Sequence, residues 1–262
     1  MIDKDRRQEQ TFKDFTKKAK KNQVFKKLIQ ETDEHDNTLL HYAAKAGNLK
    51  ACKILKKQEV DMKAKNKNEM TPLEFAARCG DGQPEEVFKC IEWIMIEGNE
   101  EDMTAILHHA IQNGNWSANT HVAEELIKTG KCKISEQYER YRNTCLHLAA
   151  MYDIDKEHTI LDLFLEDENI TEVDLLECLQ KRNHKGRTPF HIACYVGNHV
   201  SVKQLIKKGK DLEVDVSAIL NSRDHSGRLP IYTAIDSNNI ELLKVLMPEV
   251  EMTDNDINRG KG

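Results

Sequence analysis

The chain has 262 residues, of which 39% are hydrophobic, 32% charged and only 6% aromatic, with a formal net charge of −5. A mean hydropathy of −0.66 and the lack of any long apolar run exclude a membrane span within these residues. The acidic balance excludes nucleic-acid binding driven by overall charge.

The first residues, Met1-Ile2-Asp3-Lys4-Asp5, lack the apolar region of a signal peptide. Lys13, Lys17, Lys18, Lys20, Lys21, Lys26 and Lys27 then crowd the amino end, interleaved with Phe12, Phe15, Val24, Phe25, Leu28 and Ile29. Such a stretch suits a lipid surface or a calmodulin-like target helix. Val24-Phe25-x-x-Leu28-Ile29 also has the spacing of the second helix of a helix pair, and residues 1–32 read as a basic, degenerate capping half-repeat.

From Thr38 onward one pattern recurs six times. The copies are Thr38-Leu39-Leu40-His41-Tyr42-Ala43, Thr71-Pro72-Leu73-Glu74-Phe75-Ala76 and Ala105-Ile106-Leu107-His108-His109-Ala110, then Thr144-Cys145-Leu146-His147-Leu148-Ala149, Thr188-Pro189-Phe190-His191-Ile192-Ala193 and Leu229-Pro230-Ile231-Tyr232-Thr233-Ala234. The closing alanines stand 33, 34, 39, 44 and 41 residues apart, so the series starts regular and then acquires insertions. Threonine offers a hydroxyl to the first free amides of a helix, and proline at the first helical position gives up an amide that had no partner. The small alanine lets the next helix approach. Four residues past each alanine come Gly47, Gly80, Gly114, Asp153, Gly197 and Asn238, residue types that tolerate the left-handed turn closing a helix. A second amphipathic helix follows each turn, as in Ala51, Ile54 and Leu55 or Val202, Leu205 and Ile206.

These residues resemble the ankyrin repeat, whose signature is T-P-L-H-x-A at a period of 33. The resemblance implies an all-α solenoid of about six helix-turn-helix repeats with β-hairpin loops, spanning residues 33–250. Repeats start near 36, 69, 103, 142, 186 and 227. Val60–Asn66 is close to the family's extended hairpin segment, and Asn183-His184-Lys185-Gly186 and Asp224-His225-Ser226-Gly227 read as hairpin tips.

His41, His108, His147 and His191 share one register, which could suggest a metal ladder. Consecutive copies lie about one repeat apart, farther than the ~4 Å that a shared metal with ~2 Å ligand bonds allows. The resemblance implies instead that each imidazole joins a threonine hydroxyl to the backbone of a neighbouring repeat. No metal and no cofactor is expected.

Insertions lie near 131–142 (with Tyr138 and Tyr141), 167–182 and 210–221. Residues 174–180 have enough apolar positions for a short extra helix. The acidic residues Glu166, Asp167, Glu168, Glu172, Asp174 and Glu177 crowd the second insertion. At the carboxyl end Ile240, Leu243 and Leu246 are apolar where a last repeat would be polar, and residues 251–262 read as a tail or the start of a further repeat. This suggests a piece of a longer array or an array that docks on another domain, with a disordered natural tail as the competing explanation.

No G-x-S-x-G, P-loop or H-E-x-x-H occurs, and no enzymatic activity is expected. The resemblance implies a protein-interaction module that uses hairpin tips and the exposed surface of the first helices. By register the partner-binding candidates are Lys45, Arg78, Gln112, Met151, Tyr152, Tyr195 and Asp236 on the helices, with Lys67, Glu69, His184, Lys185 and His225 at tips. The implied partner is a protein or another domain of the same parent, and any oligomer would form through that parent.

Seven scattered cysteines (Cys52, Cys79, Cys90, Cys132, Cys145, Cys178 and Cys194) form no C-x-x-C pair, the pattern of a reducing, cytoplasmic compartment. Cys79 and Cys132 are the candidate reactive thiols. The irregular array is also similar to the cytosolic arrays of ankyrin-type transient receptor potential channels, which implies a role in channel assembly or gating at the cytosolic face of a membrane. A soluble adaptor or a microbial effector is the alternative parent.

Overall fold

The computed structural model describes residue 27 and residues 29–98, 102–112, 116–138, 140–152, 160–237 and 239–250. The basic stretch up to residue 26, the closing slots Gly114, Asp153 and Asn238, and the tail from 251 lie outside the described residues. Those described form fourteen helices and two isolated β-bridges, Thr32 with Thr38 and Tyr138 with Asn143. The expected hairpins are therefore tight turns rather than paired strands. The chain divides into two compact units, residues 1–102 with 115–122, and residues 103–114 with 123–262.

The first unit holds α1 (Leu39–Lys45), α2 (Leu49–Lys56), α3 (Pro72–Cys79) and α4 (Pro84–Gly98), with the start of α6 (Trp116–Lys128). Thr38 and Thr71 sit in extended conformation and cap α1 and α3, each in a reciprocal box closed by His41 and Glu74 respectively. Helix α1 packs on α3, and α2 on α4. Ala43, Ala44, Ala76 and Ala77 are buried there, as the close approach of two helices requires. Cys52 and Cys90 are also buried. The hydrogen bond with Cys90, together with burial, pushes the Cys52 thiol up, which leaves it inert.

The second unit holds α5 (Met103–Gln112), the end of α6, α7 (Cys145–Tyr152), α8 (Ile160–Glu166), α9 (Glu172–Gln180), α10 (Pro189–Val196), α11 (His199–Asp211), α12 (Val216–Leu220), α13 (Pro230–Asp236) and α14 (Ile240–Leu246). First helices follow one another: α7 lies against α5 and α10, and α10 against α13. The second helices α8, α11 and α14 back them, around buried Leu161, Phe164, Val202, Leu205, Leu242 and Leu246. The extra helix expected over 174–180 is α9, capped by Thr171 and anchored by Leu175, Cys178 and Leu179. The third insertion contributes α12, which its sequence did not announce; Asp215 caps it, and Val216, Ile219 and Leu220 are buried.

Two expectations need correction. Gly47 and Gly197 do adopt left-handed φ of 68° and 81°. Gly80 does not, with φ −55° and ψ 127°. It serves for space, since a Cβ there would lie 2.8 Å from the Ala76 carbonyl oxygen and from Val87 Cγ1. At the last helix, Ile240 is 67% exposed, but Leu246 is fully buried and Leu243 partly so. Helix α14 rotates Leu242 and Leu246 inward, onto the unit it belongs to.

Candidate interaction surface

Three of the register histidines act as ties between successive repeats. His41 Nδ1 accepts from the Thr38 amide at 3.1 Å and faces the Thr38 hydroxyl at 2.8 Å. With Nδ1 accepting, Nε2 is left to donate, and it meets the Met70 carbonyl at 3.0 Å. His147 repeats this with Thr144 and the Arg187 carbonyl at 2.9 Å, and His191 with Thr188 and the Arg228 carbonyl at 3.3 Å. Burial holds both His147 and His191 down to about 4, so they are neutral at pH 7. His108 lacks the preceding threonine of the motif. Its two nitrogens face the carbonyls of Thr104 and Asn143 at 2.8 and 3.2 Å. Among the described residues no cluster of three or more His, Cys, Asp or Glu could hold a metal.

The turns share a second device. Asp33, Asn66, Asn183 and Asp224 each begin a tip, and one side-chain oxygen of each accepts the amides two and four residues on. The residue three positions on has a left-handed φ: Asp36 at 61°, Glu69 at 60°, Gly186 at 71° and Gly227 at 76°. Tips are then tied to their neighbours. Lys67 N donates to His35 O, His184 N to Tyr141 O and His225 N to Lys185 O, at 2.9, 3.0 and 2.9 Å. Between the last two tips of the second unit, Arg187 and Asp224 form a buried ion pair.

In the first unit, Lys45 is half-buried and pairs with Asp81 at 2.9 Å, so it is less available to a partner than its register suggests. Arg78 is half-buried over the sulfur of Met70. Lys67 and Glu69 are exposed at their tip, Lys67 Nζ bonding the Glu34 carbonyl and Glu69 facing Lys65. In the second unit, Gln112, Met151 and Tyr152 are half-buried, whereas Tyr195 is 57% exposed. Lys185 and His225 are exposed, and His184 is half-buried with Nδ1 on the Tyr141 carbonyl. Asp236 is exposed, 3.8 Å from Arg228.

Arg187, absent from the sequence-derived candidates, stacks its guanidinium over the Tyr195 ring at 5.1 Å. Tyr141, noted only as part of an insertion, is 53% exposed and meets the His184 ring edge-on at 5.2 Å. Of the two candidate thiols, Cys79 is half-buried and burial pushes it up, which lowers its thiolate content. Cys132 is half-buried as well, its Sγ within 3.7 Å of the Met103 and Leu126 carbonyls.

A family model described as ankyrin repeats (3 copies) matches residues 16–95 and 155–258, which is more than half of the chain. The chain belongs to the ankyrin-repeat family. No curated protein matches it. Among solved structures it is similar to a chain of the Bd0816 predatory endopeptidase from Bdellovibrio bacteriovorus in complex with immunity protein Bd3460, at 22% identity and a TM-score of 0.55, over 83% of this chain and 99% of that one. It is also similar to the human ASB11 ankyrin repeat domain, at 17% identity and a TM-score of 0.58, over 86% and 88% of the two chains. At such identities the likeness speaks to the ankyrin fold alone. That fold is a protein-interaction scaffold, generally without catalysis, and among the described residues no helix is long and apolar enough to cross a membrane.

Proposed function

We propose that this array is a non-catalytic recognition module for a protein partner. Its second unit would receive that partner on the tips around His184, Lys185 and His225 and on α10 at Tyr195. One observation carries the reading: Tyr195, 57% exposed, is held in place by Arg187, itself fixed by Asp224. An exposed aromatic ring on a rigid support has little conformational freedom to lose on binding, and tyrosine and arginine are frequent anchors of protein interfaces. The parent is then a soluble adaptor or a microbial effector. The ankyrin fold that this chain shares with a chain of an endopeptidase–immunity protein complex is compatible with that class of role. A channel parent, to which the irregular array is also similar, requires a membrane segment outside these residues, and reading the full gene tests it.

The experiment is site-specific photocrosslinking in cells of the source organism, with benzoylphenylalanine at Tyr195 and, as a control, at exposed Lys207 on α11. The expected result is a discrete adduct from position 195 and none from 207. Equal adducts, or none at either position, sink the proposal.

A further inference from the structure

We infer that the hairpin edge of the second unit docks an acidic segment of a partner protein. This rests on the recognition reading above and adds the chemistry of the partner. The edge is continuous. The amide of His184 donates to the Tyr141 carbonyl at 3.0 Å, and that of His225 to the Lys185 carbonyl at 2.9 Å. Arg182 Nη1 also reaches the Arg223 carbonyl at 2.9 Å. Three successive tips therefore present one strip.

That strip is cationic. Arg140, Arg142, Arg182 and Lys185 are all exposed along it. The acceptors holding Arg142 and Arg182 are neutral, the Gln137 side-chain oxygen and the Arg223 carbonyl. Neither Arg140 nor Lys185 takes part in an ion pair among the described residues. At the third tip Asp224 is 5% exposed and already engaged by Arg187, so it does little to offset the charge of the strip. Tyr141 adds an exposed ring between Arg140 and Arg142. The combination suits a short extended segment with carboxylates and an apolar side chain.

A long polyanion fits less well. Nucleic-acid affinity grows with the number of phosphates neutralised. Here the four exposed cations cover only two of the three tips, on a chain of net charge −5. The same unit carries α9, with Glu172, Asp174 and Glu177. Glu177 pairs with Lys181, immediately beside Arg182, and so brings negative potential up to the border of the strip.

The test is fluorescence anisotropy on the full chain, with a fluorescein-labelled peptide of alternating glutamate and leucine and a single-stranded DNA of equal length as probes. Binding of the peptide is expected at about 50 mM salt, weakening at about 200 mM. Lys185→Glu is expected to weaken it about fivefold or more. Lys207→Glu, the same charge change on exposed α11, should leave it within about twofold. Circular dichroism and the melting midpoint of Lys185→Glu, at an exposed tip, check the fold. No binding of the peptide at low salt overturns the inference, and so do equal effects of the two variants. Tighter binding of DNA than of the peptide assigns the strip to nucleic acid and overturns it as well. If these fail while the Tyr195 crosslink persists, the recognition reading stands without the acidic partner. Loss of the crosslink with peptide binding intact removes Tyr195 from the interface and leaves the strip.

Discussion

Arg187 on one hairpin and Asp224 on the next form an ion pair, Nε to Oδ2 at 3.2 Å, with their side chains 9% and 1% exposed. Burial alone would raise the Asp224 carboxyl, but the amides of Arg228 and Ser226 and the Arg187 guanidinium outweigh it and hold it low. Removing the carboxylate leaves a buried guanidinium without its partner, whereas removing both charges together does not. Asp224→Ala is expected to cost about 3–5 kcal/mol in urea unfolding near neutral pH. Arg187→Met combined with Asp224→Ala should cost less than the sum of the single changes. Simple additivity would show that the pair is not coupled.

The tie histidines make stability depend on pH. His147 and His191 titrate near 4 in the folded chain, against an ordinary value of 6.5. Between those limits the unfolded chain binds more protons, so stability rises with pH through the window and is lost on acidification. The loss is on the order of 3 kcal/mol for each ring by the bottom of the window. Asp224, held low, adds its own loss only at more acidic pH, as its carboxylate is protonated in the folded chain. Urea midpoints should fall steeply between about pH 6.5 and pH 4.5 and stay nearly level above about pH 7.5. A flat profile through the acidic window would contradict neutral, buried rings.

Two left-handed glycines separate conformational strain from crowding. At Gly197 an added Cβ meets nothing closer than Ser237 Cβ at 3.4 Å, so Gly197→Ala should cost only the left-handed conformation, about 1–2 kcal/mol. At Gly47 the same atom lies 2.9 Å from the Val87 amide nitrogen and 3.0 Å from the Glu86 carbonyl carbon, both backbone. Gly47→Ala should therefore add about 1–3 kcal/mol of overpacking to the same strain. Thermal melting of the two variants compares them, and equal midpoints would place α4 farther from the α1 turn than it lies here.

Ala193 is fully buried on α10, which packs on α13. Ala193→Leu should destabilise by about 1–3 kcal/mol through forced separation of the two helices. Lys207→Leu, at an exposed position, should stay within about 0.5 kcal/mol. Denaturant midpoints that coincide would refute the register of the repeats.

The repeat, its caps and its buried alanines were legible in the sequence because they obey rules acting over three or four residues. Thr38 and Thr188 with their histidines three positions on need no distant partner to be recognised. The candidate tip residues were legible for the same reason, since the tips lie in one short pattern. What the tertiary structure decided depends on residues much farther apart. Gln137 reaches the Arg182 carbonyl across 45 positions, Arg187 finds Asp224 across 37, and Lys45 finds Asp81 in a neighbouring repeat. Insertions of unequal length change the separation between equivalent positions, so no fixed spacing reveals which side chains meet. Gly80 gave no sign of a different role, because the same residue type satisfies both a left-handed turn and a close approach. Leu246 likewise looked exposed by its repeat position, but the rotation of α14 about its axis, set by packing against α11 and α13, buries it.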